Sequence, residues 1–188
     1  MPTSSQSDID LLRVLLGARR AKRLYRGTLT PLFDSKEEES ADHMRLLAAR
    51  ELVKRWLLEE LRQEPDLQSP AQTREYLKLH FAGKEREVFA CLFLDNRHRL
   101  IAAENLFYGT IDGASVHPRE VVKRALQLNA AAVILSHNHP SFVTEPSQAD
   151  EMITKRLREA LALVDIRVLD HLIVGKNAAT SFAERGLL

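Results

Sequence analysis

The chain has a single cysteine in 188 residues, and that scarcity removes several kinds of protein at once. No intramolecular disulfide can form, no multi-cysteine zinc site can be assembled, and a lone thiol fits a reducing compartment, so a cytoplasmic location is expected. Cys91 sits in the apolar run Val88 to Leu94 and reads as a core residue rather than a nucleophile. Glycine is missing from Thr28 to Ala82. Long apolar runs are missing too: the longest stretch without Asp, Glu, Lys or Arg, Ala125 to Thr144, contains Asn129, His137, His139 and Pro140 and is no membrane span. The start, MPTSSQSDID, lacks the basic opening and apolar core of a signal peptide. An excess of charge is also lacking, and a net +1 argues neither for nor against nucleic acid. What remains, at 45% hydrophobic and 28% charged, is the composition of a soluble globular protein with room for one domain and a small accessory unit.

Against this plain background one stretch stands out: Ser136-His137-Asn138-His139-Pro140, then Pro146-Ser147 and Asp150. The preceding run, Ala130 to Leu135, reads as a buried strand. On an extended backbone His137 and His139 project to one side, while Asn138 faces outward and reads as structural. Pro140 breaks the strand. From Gln148 to Val164 the apolar residues Met152, Ile153, Leu157, Ala160, Leu161 and Val164 recur at helical spacing, which places Asp150 in the first turn of a helix. Two imidazoles from a strand end and one carboxylate from a helix start make a three-ligand zinc set, with the fourth position left to water. A simpler reading stands beside it: Ser147 and Asp150 also fit an S-x-x-D helix start close to a capping box, and paired histidines can be a polar rim.

The full spacing, H-x-H-P, six residues, Ser, two residues, Asp, resembles the JAMM (MPN-plus) metallohydrolase motif at His137, His139, Pro140, Ser147 and Asp150. The surrounding text resembles the bacterial RadC family more closely still. Arg119-Glu120-Val121-Val122, Asn129-Ala130-Ala131, Asp170 to Gly175 and Ser181 to Gly186 carry that similarity, which is strong over about residues 70–188 and weak before. The loop departs from the family pattern, S-G-D-P-T-P-S, at Phe142, which replaces a flexible glycine. The resemblance implies an MPN/JAMM-type, cytidine-deaminase-like α/β sandwich over 67–188, preceded by a helical region over 1–66 similar to a shortened, degenerate helix-hairpin-helix. It also implies one zinc per chain on His137, His139 and Asp150, a general base at the start of the domain's first strand, which is Glu87 here, and Ser147 as donor to the oxyanion. Glu85, Glu104 and Glu120 are rivals for the base, and Glu87 can also be a surface residue of the charged run Lys84 to Glu87.

In the helical region, Asp8 or Asp10 is expected to cap a helix carrying Leu11, Leu12, Leu15 and Leu16. A second helix is expected from Ala41 to Arg62, burying Met44, Leu47, Ala48, Leu52, Trp56, Leu57 and Leu61. Between residues 11 and 33 lie Arg13, Arg19, Arg20, Lys22, Arg23 and Arg26 with no acid, and Asp34 to Asp42 then reverse the sign. Without glycine the tight backbone approach of a hairpin to phosphate is hard to make, so the basic cluster reads as a solvated face more readily than as a DNA contact. Glu64-Pro65 and Ser69-Pro70 mark a linker, and Pro70 opens a short helix through Leu79. Glu87 to Asp95 and Arg99 to Phe107 read as a hairpin, and Gly109 and Gly113 punctuate the loop after it. His117-Pro118 opens a helix through Leu128, and Asp165 to Val174 is a last strand. His171 is either a buried, satisfied histidine or a residue orienting a ligand. His117 reads as a helix start, and His43, His80 and His98 as surface. Asp170 could bond an imidazole, in no fixed direction.

These features favour a zinc hydrolase acting on a peptide or isopeptide bond of an unidentified polypeptide, with no membrane partner. The alternative is a DNA-associated repair accessory protein, in which the basic segment touches DNA and the MPN domain is a metal-binding interaction module. A zinc deaminase would need H-x-E and P-C-x-x-C, and neither is present.

Overall fold

The computed structural model describes residues 6–34, 40–63, 70–109, 115–176 and 178–188. Glu37, Glu38, Glu39, the linker residues Glu64, Pro65 and Ser69, and Gly113 lie outside them. The chain divides into two compact units, Met1–Trp56 and Leu57–Leu188. None of the described helices is long and apolar enough to cross a membrane.

The first unit holds α1 (Asp8–Leu16), α2 (Ala18–Leu24), α3 (Thr30–Asp34) and most of α4 (Ala41–Gln63). Ser7, not Asp8 or Asp10, occupies the N-cap of α1; both acids sit in the first turn, where they suit the helix dipole. Gly17, at φ +84°, ends α1 and redirects the chain into α2, which carries the basic cluster. Leu12, Leu16, Ala21, Leu32 and Leu46 form a small core. Met44, Ala48, Leu52 and Trp56, expected to be buried, are exposed. The reason is that Asp42 and Leu46, one turn apart on the other side of α4, face inward instead. Buried Asp42 receives Arg20 at 3.3 Å, Arg23 at 3.0 Å and Arg45 at 3.1 Å, so an acid outside the basic segment neutralises part of it.

The second unit is a layered α/β sandwich, as the resemblance implied. Its elements are α5 (Pro70–Phe81), β1 (Val88–Leu94), β2 (Leu100–Tyr108), α6 (Pro118–Gln127), β3 (Ala132–Asn138), α7 (Gln148–Ala162), β4 (Arg167–Val174) and β5 (Ala179–Ser181). The sheet order is β2-β1-β3-β4-β5, with β3 and β4 parallel and the other pairs antiparallel. Strands β1 and β3 are buried along their whole length, as central strands covered on both faces must be. Alternation splits them between two cores. Val88, Ala90, Leu92, Leu94 and Ile134 pack with Leu61 of α4 and with Tyr76, Leu77 and Phe81 of α5. Phe89, Cys91, Phe93, Val133 and Leu135 pack with Val121 and Ala125 of α6 and Leu157 and Leu161 of α7. Burial pushes the Cys91 thiol well up, which makes it a packing residue. By the same period of two, His137 follows Val133 and Leu135 onto the α7 face.

Strand β4 breaks its alternation. Val133 pairs with Val168 but Ile134 pairs with Asp170, so β4 carries one extra residue at Leu169. Beyond this bulge the parity is reversed: Leu172 and Val174 face the α5 side, and His171 turns to the α7 side.

Candidate metal centre

His137 is the penultimate residue of β3, and His139 follows the strand, its N–H donating to Val174 O at 3.1 Å. The Nε2 atoms of the two rings lie 2.9 Å apart. Helix α7 brings in Asp150, with Oδ1 3.1 Å from His137 Nε2 and Oδ2 3.4 Å from His139 Nε2. One ligand atom from each residue falls within 4.8 Å of the others. Ligand atoms on a tetrahedral metal at about 2.05 Å are about 3.3 Å apart, so this set could hold a metal ion. His137 is 1% exposed and Asp150 8% exposed.

Ser147 is the N-cap of α7, and the capping box is complete: Ser147 Oγ accepts from Asp150 N–H at 3.2 Å, and Asp150 Oδ2 accepts from Ser147 N–H at 2.8 Å. The two readings of Ser147 and Asp150 are therefore compatible, because Oδ2 serves the cap while Oδ1 faces His137. The Ser147 hydroxyl also donates to Oδ2, at 2.7 Å. Partial burial would raise the Asp150 carboxyl, but hydrogen bonds with His137, His139 and Ser147 outweigh it and hold the group far below the usual carboxylate range. His139 moves up, through its hydrogen bond to Asp150 against the opposing effect of burial. Its Nδ1 lies 2.6 Å from Val143 O; a carbonyl only accepts, so Nδ1 carries a proton, and in the neutral ring the lone pair is on Nε2.

Behind His137 stands His171, its Nε2 2.8 Å from His137 Nδ1 and its Nδ1 2.6 Å from Thr154 Oγ1. His171 is fully buried, between Phe182 and Phe89, as a satisfied core histidine would be, and it also touches His137. Burial first, then the adjacent His137 ring, keeps the His171 ring well below the usual histidine range. Asp170 turns away from the imidazoles; it accepts from the N–H of His171 and of Ala183 and from the Ser181 hydroxyl.

A cavity of about 610 Å³ opens over the group, and Glu87, His137, His139, Ser147 and Asp150 all line it. Of the rival glutamates, Glu104 is held by a bidentate pair with Arg124 at 2.6 and 2.8 Å, Glu120 lines a separate cavity, and Glu85 is exposed. Asn138 is buried, not outward-facing: its Oδ1 accepts from Val88 N–H at 2.9 Å and its Nδ2 donates to Arg86 O at 3.1 Å, clamping the backbone on both sides of Glu87. His117 is the N-cap residue of α6 and lines the cavity as well, as does Arg156, which no feature of the sequence singled out. His80, read as surface, is half-buried and bonds Asn105 at 2.6 Å. Phe142 adopts φ +62°, the left-handed backbone a glycine takes freely, and exposes its ring, with Lys176 Nζ 5.6 Å from the ring centre.

A mixed α/β sandwich that brings two imidazoles at the end of a central strand to a helix-borne carboxylate, a group that could hold a metal ion, is the arrangement of a JAB/MPN-type domain. A family model described as RadC-like JAB domain matches residues 67–187. The chain belongs to this family. It is similar to UPF0758 proteins of Thioalkalivibrio sulfidiphilus, at 55% identity over 186 residues (98% of this chain, 83% of the relative), and of Nitrosococcus oceani, at 54% over 188 (98% and 83%). A UPF0758 protein of Azotobacter vinelandii is 53% identical over 182 residues, 97% of this chain and 77% of the relative.

Proposed function

We propose that this chain is a zinc-dependent hydrolase that cleaves a peptide or isopeptide bond in a polypeptide, with His137, His139 and Asp150 as ligands. The observation that carries this reading is Glu87, which lines the same cavity as the three ligands while its backbone is clamped by Asn138. Zinc, when bound, supplies a Lewis acid that polarises the scissile carbonyl and makes a water acidic near neutral pH. Glu87 takes the proton from the attacking water and returns it to the leaving amine. Ser147 stabilises the developing oxyanion once its hydroxyl turns from Asp150 Oδ2 toward the substrate, while its backbone N–H keeps the helix capped. Asp150 stays ionised throughout the neutral range.

The test is a screen of peptide and isopeptide substrates with zinc-loaded wild type and Glu87→Gln. The variant is expected to keep its zinc and lose about 10²-fold or more in kcat. Equal rates in the two proteins, or no cleavage of any substrate by the wild type, would sink the reading. The DNA-associated alternative has weaker support, because Arg13 is paired with Asp10, and Arg20 and Arg23 with Asp42. It requires DNA affinity that falls steeply with salt and disappears when the basic residues of 13–26 are neutralised.

A further inference from the structure

We infer that Thr154 and His171 form a hydrogen-bonded chain of fixed polarity that holds His137 in its metal-binding tautomer, which makes Thr154 a positioning residue for the metal. The inference rests on the reading of His137, His139 and Asp150 as ligands. Its starting point is the proton count of one buried hydroxyl. Thr154 Oγ1 lies 2.5 Å from the backbone O of Asp150 and 2.6 Å from His171 Nδ1. A hydroxyl has one proton, and a carbonyl oxygen can only accept. The proton therefore goes to Asp150 O, and Oγ1 presents a lone pair to His171, whose Nδ1 must carry a proton. A neutral ring protonated at Nδ1 has its lone pair on Nε2, and that atom meets His137 Nδ1 at 2.8 Å. His137 Nδ1 must then donate. In the neutral ring its remaining nitrogen, Nε2, then holds the lone pair, aimed at His139 Nε2 and Asp150 Oδ1.

The reverse polarity fails at its first step. If Thr154 donated to His171, two buried oxygens would face each other at 2.5 Å with no proton between them. His139 reaches the same tautomer by a separate route, through Val143 O, so the two imidazole nitrogens and the carboxylate converge as acceptors that a cation must satisfy. The chain also begins and ends on Asp150. Its main-chain carbonyl, one helical turn before Thr154, anchors the hydroxyl, and its carboxylate meets the ring whose tautomer that hydroxyl sets. Helix α7, strand β4 and strand β3 thus share one proton order. Thr154 and His171 are 2% and 0% exposed, so water cannot substitute for either partner.

The test measures zinc affinity by chelator competition for wild type, Thr154→Val and Thr154→Ser, with circular dichroism to confirm folding. Thr154→Val keeps the shape and removes the hydroxyl; it is expected to weaken zinc binding about 10–100-fold, the usual effect of losing a ligand's supporting partner. Thr154→Ser keeps the hydroxyl and is expected to stay near wild type, a rescue that loss of packing would not give. Histidine ¹⁵N spectra of the metal-free wild type supply a readout that needs no variant: His137 and His171 should both be protonated at Nδ1. A folded Thr154→Val with wild-type zinc affinity, or a His137 whose Nδ1 carries no proton, would overturn the inference. Wild type that takes up no zinc would overturn the metal reading instead, and the ¹⁵N spectra would still decide the tautomer.

Discussion

Gly175 follows β4 and lies under the loop that runs from Pro140 to Ser147. A Cβ added there would sit 2.6 Å from Phe142 O and 2.7 Å from Thr144 Cγ2, whereas ordinary contact begins at 3.4 Å. Gly175→Ala therefore forces the loop outward by about 0.8 Å, since one of the blocking atoms is backbone and cannot rotate away. Between those two residues is Val143, whose carbonyl fixes His139 at 2.6 Å. Moving it by that amount stretches the contact to the limit of a hydrogen bond and releases the ring from its metal-binding tautomer. The overpacking should cost about 1–3 kcal/mol of stability, and loss of the supporting carbonyl should weaken zinc binding about 10-fold or more. Thermal unfolding of the metal-free protein and chelator competition measure the two effects separately. A folded Gly175→Ala with wild-type zinc affinity would refute the idea that this loop sets the His139 ring.

Two further predictions concern other parts of the sandwich. Asn138→Leu leaves Val88 N–H and Arg86 O without partners next to Glu87; it should lower stability by about 2–3 kcal/mol and reduce kcat more than it raises KM, and a change in KM alone would contradict the clamp. Glu104 lies below its ordinary value of 4.5 chiefly through its hydrogen bond from Arg124, so its contribution is present above that pH and is lost as pH falls through the lower folded value. Both side chains are about one-third exposed, so Glu104→Gln should cost about 0.5–1 kcal/mol near neutral pH. The gap in melting temperature to wild type should close below pH 4.5, and a gap that persists there would assign the loss to packing.

The parts of this molecule that follow local rules were legible in its sequence. The H-x-H spacing put two imidazoles on one side of an extended chain, S-x-x-D started a helix, and the apolar run at Val88 to Leu94 became a central strand. What escaped depended on partners far along the chain. Alternation from Val168 would have turned His171 to the α5 face, and only the extra residue at Leu169 brings it to His137. Thr154 reads as an ordinary polar residue inside a helix until His171 is placed beside it. The same alternation points Asn138 outward, yet a neighbouring strand start covers it and uses both ends of its amide. In the first unit, Gly17 breaks what could have been one longer helix, and buried Asp42 gathers arginines from α2 that the sequence alone leaves in solvent.

The most direct test of the account is the metal content of purified protein. Elemental analysis should find about one zinc per chain in the wild type, with His137→Ala, His139→Ala and Asp150→Ala each losing it while far-UV circular dichroism shows all of them folded. Zinc retained in the three variants, or none in the wild type even after reconstitution, would contradict the assignment of this His-His-Asp group as a metal centre.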